Sequence, residues 1–191
     1  KVLDLGIGTG SLYRKLPPER LRLFGCDFSE KMLERTRLLH PAAKLELHDF
    51  SLGIPESFRS EKFDFIVATY AFHHLRTRAL VGMLAHLLMF LEPLGKIIIG
   101  DVLFTDEAER ERCHELCQNQ WDESEHYHAF SELIELLDGN LALSFLKVSF
   151  CAGIIIIDNY RETALQREKN LLKYKSNATK WKSNLAGKDS E

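Results

Sequence analysis

Short apolar runs alternate along the chain with longer stretches in which apolar residues recur every three or four positions. The runs predict buried or half-buried strands at residues 1–5, 21–26, 44–48, 63–69 and 96–100. The longer stretches predict helices, the clearest of which has Leu80, Leu84, Leu87 and Leu91 on one face. Strands that alternate with helices are typical of a parallel sheet covered on both faces. The pattern therefore predicts a doubly wound, Rossmann-like α/β fold.

The last two apolar runs break this alternation. Residues 141–150 and 152–158 follow each other with little room for a crossover helix. They therefore predict an antiparallel pair at one edge of a mostly parallel sheet, with a C-terminal antiparallel strand. We expect a single α/β domain over residues 1–158. Residues 159–191 are rich in charge and predict a C-terminal helix or tail that is partly disordered.

Charge is unevenly distributed along the chain. The 191 residues carry a net charge of −3, but residues 161–191 carry eight basic and four acidic side chains, which leaves the remainder at −7. An acidic body argues against DNA or RNA as the main ligand, because nucleic-acid binding requires a positive surface. We interpret the basic tail as a solvated extension, with binding of an acidic partner as the alternative.

The cysteines and the length of the apolar runs bear on the compartment. Cys26, Cys113, Cys117 and Cys151 are too few and too scattered for a disulfide framework. No apolar run approaches the ~20 residues needed to span a bilayer, and no apolar signal segment opens the sequence. We therefore predict a cytoplasmic protein that does not enter a membrane.

Residues that carry chemistry cluster where the predicted strands end. Gly6, Gly8 and Gly10 follow the first strand, and Asp27 ends the second, 17 residues past Gly10. Glycines let the backbone approach a ligand closely, and a strand-end carboxylate can accept hydrogen bonds from both ribose hydroxyls. Together they predict an adenosine-containing ligand, although a glycine turn alone is also typical of a tight connection without one.

Two details separate the cofactor classes that share this arrangement. The glycines run G-x-G-x-G rather than G-x-G-x-x-G, and Asp4 stands just before them. A carboxylate repels a pyrophosphate and attracts a cationic ligand. This spacing, with the lack of a Tyr-x-x-x-Lys pair, disfavours an NAD(P)-dependent dehydrogenase.

Five segments, in order along the chain, resemble those of class I S-adenosylmethionine-dependent methyltransferases. They are VLDLGIGTG at residues 2–10, FGCD at 24–27, HDF at 48–50, FDFIVATYAFHHL at 63–75 and LEPLGKIII at 91–99. The resemblance runs from residue 1 to about residue 158 and implies S-adenosyl-L-methionine as the cofactor. Members of this family usually carry helices before the first strand. The resemblance therefore also implies an N-terminally truncated chain that lacks these lid helices.

The resemblance assigns roles to the residues around the glycine turn. It implies that Gly6, Gly8 and Gly10 hold the methionine end of the cofactor, with Asp4 near its amino group. It also implies that Asp27 binds the ribose. These five residues are our first set of cofactor-binding candidates.

Further along the chain, the resemblance implies contacts to the other parts of the cofactor. Asp49 is expected to bind the adenine N6, and Phe50 or Phe28 to pack on the face of the ring. Thr69 or Ala71, just past the fourth strand, is expected to present backbone to the methionine.

The ends of the fourth and fifth strands hold the candidates for acceptor chemistry. Methyl transfer from a sulfonium is an in-line displacement, so the protein mainly has to position the acceptor and exclude water. His73 and His74 are the candidates for acceptor contact or general base, although a histidine there is also typical of a helix start. Asp101 either binds the acceptor or caps the next helix. We predict no metal, because Thr69 stands where the first acidic ligand is needed and no Asp-Asn pair follows Asp101.

The sequence leaves several alternatives open. Trp121, His126, Tyr127 and His128 form either an acceptor lid or a hydrophilic loop with a buried tryptophan. The favoured function is methyl transfer to a small-molecule acceptor. Transfer to a protein or nucleic acid, and a non-catalytic module that binds cofactor or a partner, are the alternatives. Neither the acceptor nor the oligomeric state is determined by the sequence.

Overall fold

The strands form one sheet of eight, accompanied by four α-helices within residues 1–137 and 141–159, which are the residues that the computed structural model describes. The strands are β1 (Val2–Leu5), β2 (Leu23–Asp27), β3 (Lys44–Leu47), β4 (Phe63–Thr69), β5 (Leu91–Phe104), β6 (His128–Ala129), β7 (Ala142–Lys147) and β8 (Ala152–Asp158). The α-helices are α1 (Glu30–Leu39), α2 (Thr77–Leu87), α3 (Glu107–Leu116) and α4 (Phe130–Leu136).

The strand order confirms the predicted doubly wound topology. The order is β3-β2-β1-β4-β5-β8-β7, and β1 to β5 are parallel. β8 pairs antiparallel with β5, and β7 pairs antiparallel with β8, so β7 is the outer strand of the predicted pair. The order reverses between β1 and β4. In open α/β sheets this switch point, at the carboxyl ends of the strands, is where ligands bind.

The central strands are buried because they are apolar at successive positions. Leu3 of β1, Ile66 of β4 and Ile97 of β5 are completely buried. Leu80 and Leu84 of α2 lie in the same core cluster. Strands buried on both faces are typical of parallel sheets covered by helices. This core fixes the strand ends that carry the candidate residues.

Two helical patterns in the sequence differ from the observed helices. Leu12 and Leu16 recur at helical spacing, but the structure has only a single 3-10 turn there, Ser11–Tyr13, since Pro17 follows within one turn and cannot continue a helix. Apolar residues also recur at helical spacing over residues 113–121, but the observed helix, α3, begins earlier and ends earlier. Its start is set by Asp106, whose carboxylate accepts a hydrogen bond from the N–H of Glu109 at 2.8 Å.

β5 is much longer than the predicted strand at residues 96–100. It continues to Phe104 because β8 pairs with it as far as Val102, and the two-residue β6 pairs with its last residues. Asp101 therefore lies inside the strand, paired with Gly153 of β8, rather than at the strand end.

Part of the prediction lies outside the described residues. The charged segment expected from residue 159 onward is described only at Asn159, whose N–H donates to the carbonyl oxygen of Gly95 at 3.1 Å. Among residues 1–137 and 141–159, no helix is both long enough and apolar enough to cross a membrane.

Candidate active site

The chain bends sharply after β1, and all three predicted glycines lie in the bend. Gly6, Gly8 and Gly10 have φ angles of 75°, 57° and 67°, a region of backbone conformation that residues other than glycine rarely adopt. A Cβ on Gly6 would lie 2.9 Å from the Cβ of Ala71, whereas a Cβ on Gly8 would meet nothing within 4 Å. The bend is therefore packed at Gly6 against the turn that follows β4, and it faces open space at Gly8.

Two carbonyl groups of this bend are held by side chains from α1 and from the residue that follows it. Thr36 donates a hydrogen bond from Oγ1 to the oxygen of Gly8 at 2.7 Å, and Nε2 of His40 lies 2.9 Å from the oxygen of Gly10. Thr36 is buried, one helical turn before His40. These two contacts fix the conformation of the bend.

Asp27 ends β2 and faces the glycine bend. One carboxylate oxygen accepts a hydrogen bond from the N–H of Gly8 at 2.8 Å, and the other accepts one from the N–H of Ser29 at 2.8 Å. The side chain is buried. Each carboxylate oxygen can accept more than one hydrogen bond, so Asp27 keeps acceptor capacity for a further partner.

Asp4 lies beneath the same bend with only 1% of its surface exposed. Its Oδ1 and the hydroxyl of Tyr13 are buried without a hydrogen-bond partner in the described part of the chain. Burial raises the pKa of Asp4 from 3.8 to about 7. The nearby negative charge of Asp27 adds to this increase, and the neighbouring Tyr13 hydroxyl opposes it. A cation beside Asp4 would favour its charged form, so this site fits a positively charged ligand group.

A cavity of about 290 Å³ opens at the carboxyl ends of the strands. It is lined by Phe28, Asp49, Phe50, Ser51, His74 and Leu75. It brings together the three side chains that the resemblance placed around an adenine ring and one of the two candidate histidines. A larger cavity, about 560 Å³, lies beside the amino ends of β1 and β2 and is lined by none of the predicted site residues.

The side chains that form the walls of the smaller cavity differ in exposure. Phe28 is 71% exposed, whereas Phe50 is buried, with its ring 5.7 Å from that of Phe72. Asp49 accepts a hydrogen bond from the N–H of Ser51 at 2.8 Å, and its hydrogen bonds to Ser51 hold the pKa of this carboxyl below its usual value. Asp49 is therefore a charged acceptor at the cavity wall.

Asp101 organises the turn that follows β4. One of its carboxylate oxygens accepts hydrogen bonds from the N–H groups of Ala71, Phe72 and His73 at 3.2, 2.9 and 3.3 Å. The side chain is only 2% exposed. The expectation that Asp101 caps the next helix is wrong, because Asp106 occupies that position in α3. Asp101 instead caps the 3-10 turn of the two histidines.

Thr69 and Ala71 flank Tyr70, whose φ of 50° turns the chain at the end of β4. The N–H of Tyr70 donates to the oxygen of Gly100 at 2.9 Å. Because the N–H of Ala71 is bound to Asp101, the backbone that this residue can still offer a ligand is its carbonyl oxygen.

The two candidate histidines lie in different environments. His73 is buried, and its Nδ1 lies 2.7 Å from Asp101 Oδ1, whereas His74 is exposed at the cavity. The hydrogen bond to Asp101 raises the pKa of His73, and burial opposes this shift. The two rings are 4.2 Å apart between centroids.

Glu125 joins this pair from the loop between α3 and β6. Its Oε1 lies 3.5 Å from Nε2 of His73, and one ligand atom from each of His73, His74 and Glu125 lies within 4.8 Å of the others. Among residues 1–137 and 141–159, this is the group of histidine and acidic side chains that could hold a metal ion. No local sequence signal points to Glu125, because only the fold brings it next to a turn some fifty positions earlier.

The loop around Glu125 is tied to the histidine turn. The N–H of His126 donates to the oxygen of His73 at 2.6 Å, and Nε2 of the buried His128 lies 3.2 Å from the oxygen of Phe72. Trp121 is only partly buried, against the rings of Phe104, His114 and Tyr127. His128 is thus a structural residue, and the loop covers one side of the turn.

A doubly wound sheet with a glycine bend, a strand-end acid and a cavity at the switch point defines a nucleoside-binding Rossmann-like domain. A family model described as a methyltransferase domain matches residues 2–95. An uncharacterized methyltransferase of Alkaliphilus oremlandii is 30% identical over 155 residues, which are 75% of this chain and 67% of that protein. The uncharacterized methyltransferase YrrT of Halobacillus halophilus is 30% identical over 162 residues, which are 81% of this chain and 75% of that protein.

The solved structures point to the same fold. The crystal structure of magnesium protoporphyrin IX methyltransferase (ChlM) from Synechocystis PCC 6803 with bound SAH has a TM-score of 0.61 and 16% identity, covering 82% of this chain and 73% of that one. The chain belongs to the class I S-adenosylmethionine-dependent methyltransferases. The same Synechocystis methyltransferase has also been crystallised with bound SAM.

Proposed function

We propose that the protein transfers a methyl group from S-adenosylmethionine to a small-molecule acceptor by in-line displacement. The observation that carries this proposal is the buried, unpartnered carboxylate of Asp4 beneath a bend that faces open space at Gly8. The cationic amino group of the cofactor supplies the positively charged partner that this carboxylate lacks. The cofactor itself contributes a methyl group already activated on a sulfonium.

In this proposal, different residues around the bend contact different parts of the cofactor. Asp4 faces the amino group, while Gly6, Gly8 and Gly10 provide a close backbone approach for the methionine portion. Asp27 accepts hydrogen bonds from the ribose hydroxyls in addition to those from the chain itself. The position of Asp27 supports this assignment, since its side chain is buried at the end of β2 and accepts a hydrogen bond from the N–H of Gly8 at 2.8 Å.

We assign the adenine ring to the 290 Å³ cavity. Phe50 packs on one face from the buried side, and Phe28, which is exposed in the absence of a ligand, closes over the other. Asp49 accepts a hydrogen bond from the adenine N6. Thr69 and Ala71 complete the methionine site, Ala71 through its carbonyl oxygen because Asp101 holds its N–H.

The acceptor site in this proposal lies at the histidine turn. His74 lines the cavity and His73 lies beside it with its Nδ1 fixed by Asp101, so both face the region next to the cofactor. A small acceptor is favoured because the chain outside residues 161–191 is acidic, which disfavours nucleic acid. The structural neighbour from Synechocystis also acts, by its name, on a small molecule.

Calorimetry tests the cofactor site. We expect the protein to bind S-adenosylmethionine and SAH, and not NAD. Asp27→Ala removes charge-assisted hydrogen bonds worth about 1.5 to 3 kcal/mol each, so we expect binding to weaken by about tenfold to several hundredfold. Glu34→Ala, an exposed acid on α1, is the matched control for the loss of one negative charge and should bind as the wild type does. A folded Asp27→Ala variant with normal affinity would show that the ribose assignment is wrong.

Transfer of a labelled methyl group identifies the acceptor class. Incubation with S-adenosylmethionine labelled in its methyl group, against separate pools of small metabolites, proteins and nucleic acids, should label a component of the small-molecule pool. Label appearing only in protein or nucleic acid would overturn the small-molecule part of the proposal and leave the cofactor site intact.

A further inference from the structure

We propose that His73, His74 and Glu125 form a binding site for a divalent transition-metal ion, with zinc as the best-matched ion. Binding of the ion is independent of methyl transfer, and its place beside the acceptor rests on the proposed function. The sequence predicted no metal because Thr69 stands where the first acidic ligand is needed and no Asp-Asn pair follows Asp101, but this site uses histidines from the turn after β4 and an acid from a distant loop.

The spacing of the ligand atoms fits an ion better than a hydrogen bond. Nε2 of His73 and Oε1 of Glu125 are 3.5 Å apart, which is longer than the usual 2.7–3.2 Å of a hydrogen bond. Two ligands bound to a tetrahedral zinc ion at about 2.1 Å each lie about 3.4 Å from one another. Candidate atoms of His74 lie within 4.8 Å of both. His74 is exposed, so its ring can rotate to complete the set.

Two of the three ligands are oriented by a second hydrogen bond, as is typical of metal ligands. Nδ1 of His73 lies 2.7 Å from the buried carboxylate of Asp101, which holds the proton on Nδ1 and leaves the lone pair of Nε2 facing Glu125. The hydroxyl of Tyr127 donates to Oε2 of Glu125 at 2.7 Å, so Oε1 is the oxygen presented to His73.

The backbone holds the two halves of the site together. The N–H of His126, next to Glu125, donates to the oxygen of His73 at 2.6 Å. His128 extends the connection to the oxygen of Phe72. The loop that carries the acid is therefore attached to the turn that carries the histidines, which limits the entropy lost when an ion binds.

The donor set indicates the class of ion. Two imidazole nitrogens and one carboxylate oxygen suit Zn²⁺, Co²⁺ or Fe²⁺, whereas Mg²⁺ and Ca²⁺ prefer oxygen ligands. Three protein ligands leave at least one coordination position for water or for an atom of the acceptor. Since His74 also lines the cavity assigned to adenine, the ion would lie next to the cofactor.

Cobalt titration of the full, untagged chain tests this site. We expect Co²⁺ to bind with one equivalent per chain and to give visible d–d absorption typical of four or five ligands, and Zn²⁺ to displace it. His74→Ala and Glu125→Gln should each weaken Co²⁺ binding at least tenfold, and both side chains are outside the core, so the variants should fold. Tyr127→Phe, which removes only the hydrogen bond to Glu125, should weaken binding by about tenfold.

The matched control is His114→Ala. His114 forms an exposed pair with Glu123 at 3.1 Å and has no third ligand among residues 1–137 and 141–159, so its loss should leave Co²⁺ binding unchanged. Three results would overturn the proposal: no Co²⁺ bound, binding insensitive to His74→Ala and Glu125→Gln, or a thiolate charge-transfer band, which would place the ion on cysteine. Calorimetry with S-adenosylmethionine in the same samples separates this failure from failure of the cofactor site.

Discussion

Replacing Asp4 with asparagine should change stability and cofactor binding in opposite directions. Above pH 7, Asp4 carries its charge in a buried site where Oδ1 has no hydrogen-bond partner in the described part of the chain. Its pKa is about 7 against an ordinary 3.8. Because 1.36 kcal/mol corresponds to one pKa unit, the ionised group destabilises the fold by roughly 4 kcal/mol at pH 8. Asparagine has the same shape without the charge.

The pH dependence gives this prediction its sign. The folded protein holds the Asp4 proton to a higher pH than the unfolded chain does, so this residue's contribution is fully present below pH 4 and is lost as the pH rises to about 7. The Asp4→Asn variant lacks this loss. Its advantage in the free energy of unfolding should therefore be near zero at pH 4 and reach up to about 4 kcal/mol at pH 8. The amide can also donate to the unpartnered hydroxyl of Tyr13.

Cofactor affinity should move the other way. In the wild type, S-adenosylmethionine should bind more tightly as the pH rises towards 7, by up to tenfold per pH unit, because the Asp4 proton has to leave before the carboxylate can pair with the amino group. Asp4→Asn should bind roughly ten- to a hundredfold more weakly at pH 8 and lose this pH dependence. 5′-Methylthioadenosine, which shares the nucleoside but lacks the amino acid, should bind both proteins equally.

Urea unfolding at pH 4.5, 6 and 8, with calorimetry at the two higher values, measures both effects. A variant that is no more stable than the wild type at pH 8 would refute the claim that Asp4 is a buried, destabilising charge. A variant that gains stability and still binds S-adenosylmethionine with wild-type affinity would refute its pairing with the amino group. The unfolding data therefore test the buried charge of Asp4, and the calorimetry tests its pairing with the amino group.

Two further substitutions test the backbone of the site. Gly6→Ala places a Cβ at a φ of 75° and 2.9 Å from the Cβ of Ala71, so we expect urea unfolding to show that the free energy of unfolding falls by about 3 kcal/mol. Gly82→Ala, on α2 with open space around it, is the control and should raise the free energy of unfolding by up to about 1 kcal/mol. Equal effects of the two substitutions would contradict the packing of the bend. Asp101→Asn turns a donor towards His73 where an acceptor is needed, so we expect it to lower the free energy of unfolding by about 2 kcal/mol, and an unchanged urea midpoint would argue against Asp101 as the cap of the turn.

The strands and the glycine bend could be predicted because their signals are local. β4 occupies residues 63–69 as predicted, since a charged loop precedes its apolar run and a turn follows it. Asp27 ends β2 and faces the bend because parallel neighbours bring their carboxyl ends to one edge of the sheet. In both cases a few neighbouring residues determine the structure.

The histidine turn could not be predicted because its partners come from distant segments. Asp101 reaches His73 only because β5 pairs with β4 in a register that sets Gly100 beside Thr69, and because β8 extends β5 beyond its apolar stretch. Glu125 depends in addition on the path of a loop. A single sequence gives the ends of strands, but not which side chains of a later strand or loop will lie beside them.

The structure of the bend indicates which groups contribute to the free energy of cofactor binding. Several polar groups of its backbone are already hydrogen-bonded within the protein, since the N–H of Gly8 is bound to Asp27 and the carbonyl oxygens of Gly8 and Gly10 are held by Thr36 and His40. A ligand therefore meets a bend that needs no ordering, which favours binding by reducing its entropic penalty. Asp4 is the exception: it is buried beneath the same bend without a partner. The energetic cost of that buried charge is relieved when a cation binds beside it, so selectivity for a cationic nucleoside follows from the carboxylate of Asp4.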